Sequence, residues 1–172
     1  GHLERFQVVV LGRDTQVFLN DATLTNLRRW ISRQGGALLC YRGSPAAQIG
    51  QQLAQILPVA WTEGSESRFN LQLTGEGQSL RWLGDLDERL DGGIGQMPTL
   101  ATVSQVQAPR PLATVLAVAH LAQDGRSWPV ITSHYYGTGR VVTIEGAGMW
   151  RWAFLPPQHE QRGEVYGTLW QS

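Results

Sequence analysis

The chain has 172 residues, of which 42% are hydrophobic and 16% are charged, a balance typical of one folded domain rather than of a disordered segment. Its 14 basic and 14 acidic residues cancel, which excludes a net field that would favour nucleic acid or an anionic membrane. All the basic residues are arginine, so Schiff-base chemistry and a lysine-dependent phosphate loop are excluded too. No apolar run approaches the roughly 20 residues that cross a membrane as a helix, and we expect a soluble domain.

The N-terminal part of the chain alternates between apolar runs and helical patterns. Phe6–Leu11 is a continuous apolar run, which predicts a strand buried on both faces. Asn20 or Asp21 then supplies an N-cap, apolar residues follow at helical spacing, and Gly35-Gly36 supplies the C-cap. A second short, buried strand is predicted at Ala37–Tyr41.

A second helix is predicted directly after this strand. Ser44 is a suitable N-cap, Pro45 suits the first helical position, and Pro58 ends the pattern. The apolar face of this helix comprises Ile49, Leu53, Ile56 and Leu57. Alternating strands and helices with short connections imply parallel strands joined by right-handed crossovers, so residues 6–58 predict an α/β fold.

The rest of the chain predicts further strands and two more helices. The runs that alternate, or that are rich in β-prone residues, predict strands at Arg68–Thr74, Leu100–Gln107, Leu112–Leu121, Val130–Tyr136 and Arg140–Ile144. The last two are separated by a short Gly-containing connection, which predicts a hairpin. Helices are predicted at Leu80–Leu90, with Trp82 and Leu86 facing inward, and at His159–Trp170.

Several of these segments, taken in order, resemble a known family. They are Val8–Gly12, Gly35-Gly36, Ala37–Gly43, Leu57-Pro58-Val59, Pro129-Val130, Tyr136–Val142 and Trp150-Arg151-Trp152. Together they are similar to the class I glutamine amidotransferase-like domains of large, membrane-anchored bacterial proteins, which often also contain von Willebrand factor A-like domains. The resemblance implies a flavodoxin-like, three-layer α/β/α sandwich, with a mostly parallel sheet, added antiparallel strands and a C-terminal hairpin.

The resemblance also bears on domain organisation. Members of the family usually have another strand and helix before the segment that corresponds to Val8–Gly12. Without that unit we expect an exposed sheet edge, and exposed edges favour pairing with another chain, here as a homodimer. We expect residues 1–172 to form a single domain of a longer, membrane-anchored protein.

An active glutaminase of this kind needs a cysteine at a tight strand-to-helix turn, a histidine, and an acidic residue two positions after it. Cys40 is the single cysteine, but Leu38 and Arg42 flank it where a tight turn requires small residues. Gln161 stands where the acidic residue after His159 would be. We therefore expect Cys40 to be a buried structural thiol with a raised pKa; an active amidotransferase or amidohydrolase that uses Cys40 is the alternative.

No metal or cofactor site is expected. His120 and His134 lie on predicted strands, where a hydrogen-bonded structural histidine is the commoner outcome. No histidine pair has the spacing of a helical metal site, and one cysteine cannot build a zinc cluster. Gly92–Gly95 does not lie between a strand and a helix in the register that a dinucleotide site requires.

Arg42-Gly43-Ser44 is a candidate ligand site. It follows a predicted parallel strand and precedes a predicted helix, where open α/β sheets bind ligands and backbone N–H groups favour an anion. A helix cap with a surface arginine is the favoured interpretation. The alternative hypothesis is that this segment binds a carboxylate or phosphate.

Trp150-Arg151-Trp152 is a candidate interaction surface with three interpretations. The tryptophans belong to the core, with Arg151 paired to a carboxylate such as Glu145; or they anchor another domain; or they stack on a sugar. If the segment is extended, Trp150 and Trp152 share a face.

These patterns predict a non-catalytic, amidotransferase-like domain that serves as an interaction or ligand-sensing module of a larger membrane-associated protein. Its expected partners are other domains of the same polypeptide or another protein, and not nucleic acid.

Overall fold

The computed structural model describes residues 2–81, 83–121 and 127–171, with the backbone alone at residues 63, 65, 87, 103 and 104. The strands are β1 (Val8–Leu11), β2 (Ala37–Tyr41), β3 (Val59–Leu73), β4 (Leu100–Pro109), β5 (Thr114–His120), β6 (Ser127–Tyr136) and β7 (Gly139–Ile144). The α-helices are α1 (Asp21–Gln34), α2 (Gln51–Ala54), α3 (Gly75–Ser79), α4 (Leu86–Arg89) and α5 (Glu164–Gln171). Turns of 3-10 helix lie at His2–Arg5, Gln16–Phe18, Gly93–Gln96, Met149–Ala153 and Pro157–Arg162.

The seven strands form one sheet in the order β1-β2-β7-β6-β5-β3-β4, and it is mainly antiparallel. Among the described strands, β1–β2 and β2–β7 pair in parallel, and the other four neighbouring pairs are antiparallel. The predicted flavodoxin-like sandwich with a mostly parallel sheet is therefore wrong. A strand–helix–strand pattern produces a parallel pair only when the second strand lies next to the first in the sheet. Here β3, which follows α2 in the chain, lies near the far edge of the sheet, and β7 is the neighbour of β2.

Helix α1 forms where the sequence predicts it. Asn20 caps its N-terminus, because its side chain accepts a hydrogen bond of 2.9 Å from the backbone N–H of Thr23. Gly35 ends the helix with φ at +75°, a conformation that costs glycine little. The buried face of α1 packs over β2 and β7 and comprises Leu24, Leu27, Trp30 and Ile31.

The predicted second helix, which was to start at Ser44, is wrong. Residues 42–50 form no helix, and α2 contains only four residues. Arg42 and Gly43 both have a positive φ, at +73° and +93°, which turns the chain away from a helical path. The carbonyl of Pro45, which a helix would use internally, accepts hydrogen bonds from the N–H and hydroxyl of Thr15 instead.

Strand β1 is an edge strand, not the strand buried on both faces that its apolar run predicts. The side chains of Val8 and Val10 are 52% and 55% exposed, while Val9 and Leu11 pack against the cluster under α1. A continuous apolar run is typical of a central strand but does not specify the position of the strand in the sheet.

The predicted C-terminal hairpin is confirmed as β6 and β7. Gly137 has φ at +65°, and a Cβ added there would lie 2.3 Å from the carbonyl oxygen of Ser32 in α1. Glycine is required at this turn for its backbone angle and for the close approach of α1.

The remaining predicted helices are shorter than expected. Residues 157–162 form a 3-10 turn with a non-helical His159, so α5 begins at Glu164 rather than at His159. Leu86 is buried at the start of α4, as predicted, and Trp82 lies outside the described residues. Among the described residues, no helix is long and apolar enough to cross a membrane.

The β3–β4 ribbon curls over one end of the sheet. The first part of β3 pairs with β4 alone, and the last part pairs with β5. Although β3 is three places from β7 in the sheet, the indole of Trp61 donates a hydrogen bond to Glu145, directly after β7. Ala101 of β4 also bridges to Ala147. The ribbon thus lies over the carboxyl end of β7.

Candidate functional site

A cavity of about 550 Å³ opens beneath the curled ribbon. Its walls come from the loop after β1 (Arg13 and Asp14), the loop after β2 (Ser44), the start of β3 (Trp61) and the residue after β4 (Arg110). Open α/β sheets bind ligands at the carboxyl ends of parallel strands, and β1 and β2 both end here. The volume is within the range of roughly 300–1,000 Å³ that is typical of small-molecule sites.

The cavity combines two guanidinium groups with an apolar wall. Neither Arg13 nor Arg110 forms a side-chain hydrogen bond or an ion pair with another described residue. The apolar part of the lining comprises Ala46, Ala47, Ile49, Ala54, Val59 and Ala60. Guanidinium groups bind carboxylates and phosphates through paired N–H donors, so the cavity is suited to a small organic anion.

Glu145 lies behind Trp61 at the end of β7 and is 1% exposed. Its Oε1 accepts the Trp61 indole N–H, and its Oε2 has no hydrogen-bond partner among the described residues. Burial raises the pKa of Glu145 to about 8, although the Trp61 hydrogen bond and the charge of Arg13 act in the opposite direction. The carboxyl is therefore mostly protonated at neutral pH.

Cys40 lies inside β2 and is fully buried. Burial raises the pKa of its thiol to about 12, so the thiolate that a nucleophile requires is absent at neutral pH. In the sheet register, His134 pairs with Val141, which pairs with Leu38 of β2. His134 is thus two strands away from β2, or roughly 10 Å.

The histidines are placed apart from this thiol. The ring of His134 is 2.7 Å from the carbonyl oxygen of Ile56, and its pKa is lowered by burial and by the charge of Arg110. His120 lies at the end of β5, and His159 lies in the 3-10 turn before α5. Among the described residues, no group of three or more His, Cys, Asp or Glu side chains is arranged to hold a metal ion.

The predicted anion site at Arg42-Gly43-Ser44 loses its structural basis. No helix begins at Ser44, whose hydroxyl donates to the carbonyl of Ala46 at 2.7 Å. The N–H groups of Arg42 and Gly43 both donate to the carbonyl of Ile144 at 3.0 Å, so they are already used. Ser44 does line the cavity, but the guanidinium groups in the lining are those of Arg13 and Arg110. Sequence reasoning missed both arginines. Arg110 lines the cavity because the end of β4 pairs with the start of β3, a long-range contact that no local pattern reveals.

The Trp150-Arg151-Trp152 segment forms a 3-10 turn, so its tryptophans do not share a face. Trp152 is buried and donates to the carbonyl of Pro98 at 2.8 Å. The Arg151 side chain donates to the carbonyls of Gly148 and Thr99, and the predicted pairing with Glu145 is wrong.

Trp150 is the exposed member of this segment. Its side chain is 60% exposed and packs edge-on against Phe154, with the ring centroids 6.4 Å apart. The core interpretation therefore holds for Trp152, while Trp150 is exposed, and the contact of Trp150 with another domain or with a sugar stays a prediction.

No protein-family model matches the sequence, and no curated protein is similar to it. Solved structures with a similar fold include two cytoplasmic proteins and a β-galactosidase. The cytoplasmic protein STM3548 from Salmonella typhimurium has 14% identity and a TM-score of 0.59, over 98% of this chain and 73% of that chain. The cytoplasmic protein STM1381 from Salmonella typhimurium LT2 has 17% identity and a TM-score of 0.58, over 98% and 71%. Gan42B, a GH42 β-galactosidase from G. stearothermophilus, has 15% identity and a TM-score of 0.54, over 99% and 22%.

At these identities the similarity shows the fold alone. The chain spans nearly three quarters of the two cytoplasmic proteins and less than a quarter of the β-galactosidase. The same fold therefore occurs as most of one protein and as a small part of another. These structures and the antiparallel sheet contradict the predicted flavodoxin-like class, and they give no support to the amidotransferase-like description.

Proposed function

We propose that this chain is a non-catalytic binding module that senses a small organic anion in the cavity between Arg13 and Arg110. The observation that supports the proposal is the presence of two guanidinium groups without side-chain partners in one cavity. The nearby thiol of Cys40 is buried and protonated, which disfavours the alternative of a cysteine-dependent amidohydrolase.

The charge of the lining indicates the charge of the ligand. Arg13 and Arg110 contribute two positive charges and Asp14 one negative charge, which leaves +1 when Glu145 is protonated. A monoanion balances this charge, and the alanine-rich wall accommodates a hydrocarbon part. A monocarboxylate is the class of ligand that fits, whereas a phosphate monoester, with a charge of about −1.5 to −2 at pH 7, exceeds the charge of the lining.

Isothermal titration with acetate, benzoate and inorganic phosphate at constant ionic strength tests this proposal. We expect Arg13→Gln and Arg110→Gln each to weaken the tightest of these interactions about tenfold, because each removes a charge-assisted hydrogen bond. Arg28→Gln, on the exposed face of α1, is the matched control and should bind like the wild type. Equal affinity in all four proteins, or no binding at all, would reject the cavity as an anion site.

We also propose that Trp150 and Phe154 contact another domain of a larger polypeptide. Two exposed aromatic rings in mutual contact favour this, since aromatic side chains dominate interface energetics. In the full-length parent protein, the amides of residues 149–154 should exchange with solvent at least about tenfold more slowly than in the isolated domain. The Trp150→Ser variant should lose this protection. Equal exchange in the parent and in the isolated domain would refute the contact.

A further inference from the structure

A groove of about 380 Å³ lies apart from the proposed anion cavity and shares no lining residue with it. Its walls come from the segment after α3, the turn before β5, the strand β5 and the hairpin of β6 and β7. Its exposed large apolar and basic residues are Leu80, Arg81, Leu112, Tyr135 and Arg140, and we call the site that they line the hairpin groove. The hairpin groove is thus a separate concave site.

Three large apolar side chains of the hairpin groove face solvent. Leu80 and Tyr135 are more than half exposed, and Leu112 is 97% exposed. Single exposed apolar residues are common on protein surfaces, but several that line one groove are typical of a contact site. Tyrosine and arginine are also the residue types that are enriched where binding energy is concentrated.

The backbone at Leu112 is strained. The N–H of Ala113 donates to the carbonyl of Arg110 at 3.0 Å, which closes a turn with Pro111 and Leu112 at its centre. Leu112 has φ at +68°, and a turn with proline first and a positive φ second is of type II, where glycine is preferred. Leucine at this position costs backbone energy and buries almost nothing, so the isolated fold gains little from it. Such a residue indicates a role in binding.

The charge of the hairpin groove is positive. Neither Arg81 nor Arg140 forms an ion pair with another described residue, and both are exposed. The Arg140 guanidinium lies 4.9 Å from the centroid of the Tyr135 ring and donates to its hydroxyl at 3.2 Å, but this partner is neutral. Among the described residues, the lining includes no acidic side chain. The groove therefore complements a partner that carries negative charge.

We propose that the hairpin groove binds an acidic segment of another protein, one that carries two or more carboxylates beside a large apolar residue. The carboxylates pair with Arg81 and Arg140, and the apolar side chain packs against Leu80 and Tyr135. A small anion inside the groove would leave Leu112 in solvent, whereas a polypeptide segment that passes over the groove covers it. The inference does not depend on the proposed function of the anion cavity.

Selection from a library of random peptides tests the charge without a known partner. Peptides that the immobilised wild type enriches should contain two or more acidic residues and an aliphatic or aromatic residue. By fluorescence anisotropy, Arg81→Gln and Arg140→Gln should each weaken binding of the selected peptide about fivefold, as expected for exposed charge pairs. Arg28→Gln, on the exposed face of α1, is the matched control and should bind like the wild type. Enriched peptides without acidic residues, no enrichment, or equal affinity in all the variants would overturn the proposal.

Substitution of Leu112 separates binding from folding. Leu112→Gly relieves the positive φ, so it should resist urea at least as well as the wild type. The same change removes the apolar contact and should weaken binding of the selected peptide at least about tenfold. Leu112→Met retains an apolar side chain and should bind within about threefold of the wild type. A Leu112→Gly variant that binds like the wild type would overturn the proposal.

Sedimentation equilibrium of the protein alone distinguishes a second copy of this chain as the occupant. We expect the wild type and Leu112→Gly to have the same average mass over the same range of concentration. Self-association of the wild type that Leu112→Gly abolishes would assign the hairpin groove to a second copy and overturn the proposed acidic segment.

Discussion

Glu145 shows how strongly one residue depends on its surroundings. A carboxyl at the end of a buried strand keeps one hydrogen bond, from the Trp61 indole, and has one oxygen without a partner among the described residues. Because desolvation penalises the charged form, burial moves the pKa from 4.5 to about 8. Between about pH 4.5 and 8, the Glu145 carboxyl is therefore mostly protonated in the native state and mostly ionised in the unfolded chain.

This difference makes stability depend on pH. The folded pKa is raised, so the contribution of Glu145 is fully present below about pH 4.5 and is lost as the pH rises towards 8. Glu145→Gln keeps an oxygen for the Trp61 indole but cannot ionise. We expect urea unfolding to show that the wild type loses on the order of 4 kcal/mol between pH 5 and 8 relative to this variant. Parallel pH profiles for the two proteins would contradict the assignment of a protonated Glu145.

At the scale of elements, the sequence predicts those whose signals are local. Helix α1 is predicted from its own residues, because Asn20 caps its start and Gly35 ends it. The hairpin of β6 and β7 is likewise specified by two β-prone runs and a glycine turn. Both elements depend on interactions within a few residues, which a single sequence contains.

Elements decided by distant contacts are predicted poorly. Ser44 and Pro45 have the residue types of a helix start, yet Thr15 takes the Pro45 carbonyl and the helix does not form there. An apolar run such as β1 does not reveal whether the strand lies in the centre of the sheet, with a neighbouring strand on each side, or at its edge. Strand pairing also decides the site. Arg110 lines the cavity with Arg13 because β4 runs back along β3 and ends beside its start, a long-range pairing that no local pattern contains.

At the scale of the whole molecule, Cys40 sits at the junction of the parallel strands. It pairs in register with Leu11 of β1 and Thr143 of β7, and α1 and α2 pack over this face. The thiol cannot meet solvent by movement of one side chain, because the strands and the helices around it must separate. The reactivity of Cys40 therefore reports the separation of the parallel strands β1, β2 and β7 and of the helices α1 and α2 that pack over them.

Labelling with iodoacetamide at pH 7 measures this opening and tests the catalytic alternative together. A fully buried thiol with a pKa of about 12 should react at least about a thousandfold more slowly than an exposed one, since it reacts only in the rare open molecules. Arg28→Cys in a Cys40→Ala background, on the exposed face of α1, supplies the exposed reference thiol. Urea should accelerate the labelling of Cys40 in step with global unfolding and leave that of the reference nearly unchanged. If native Cys40 reacts as fast as the reference, the thiol is accessible and the buried assignment is wrong. If it reacts faster than the reference, the thiol is also activated, and the cysteine-dependent enzyme replaces the binding module as the better account of this fold.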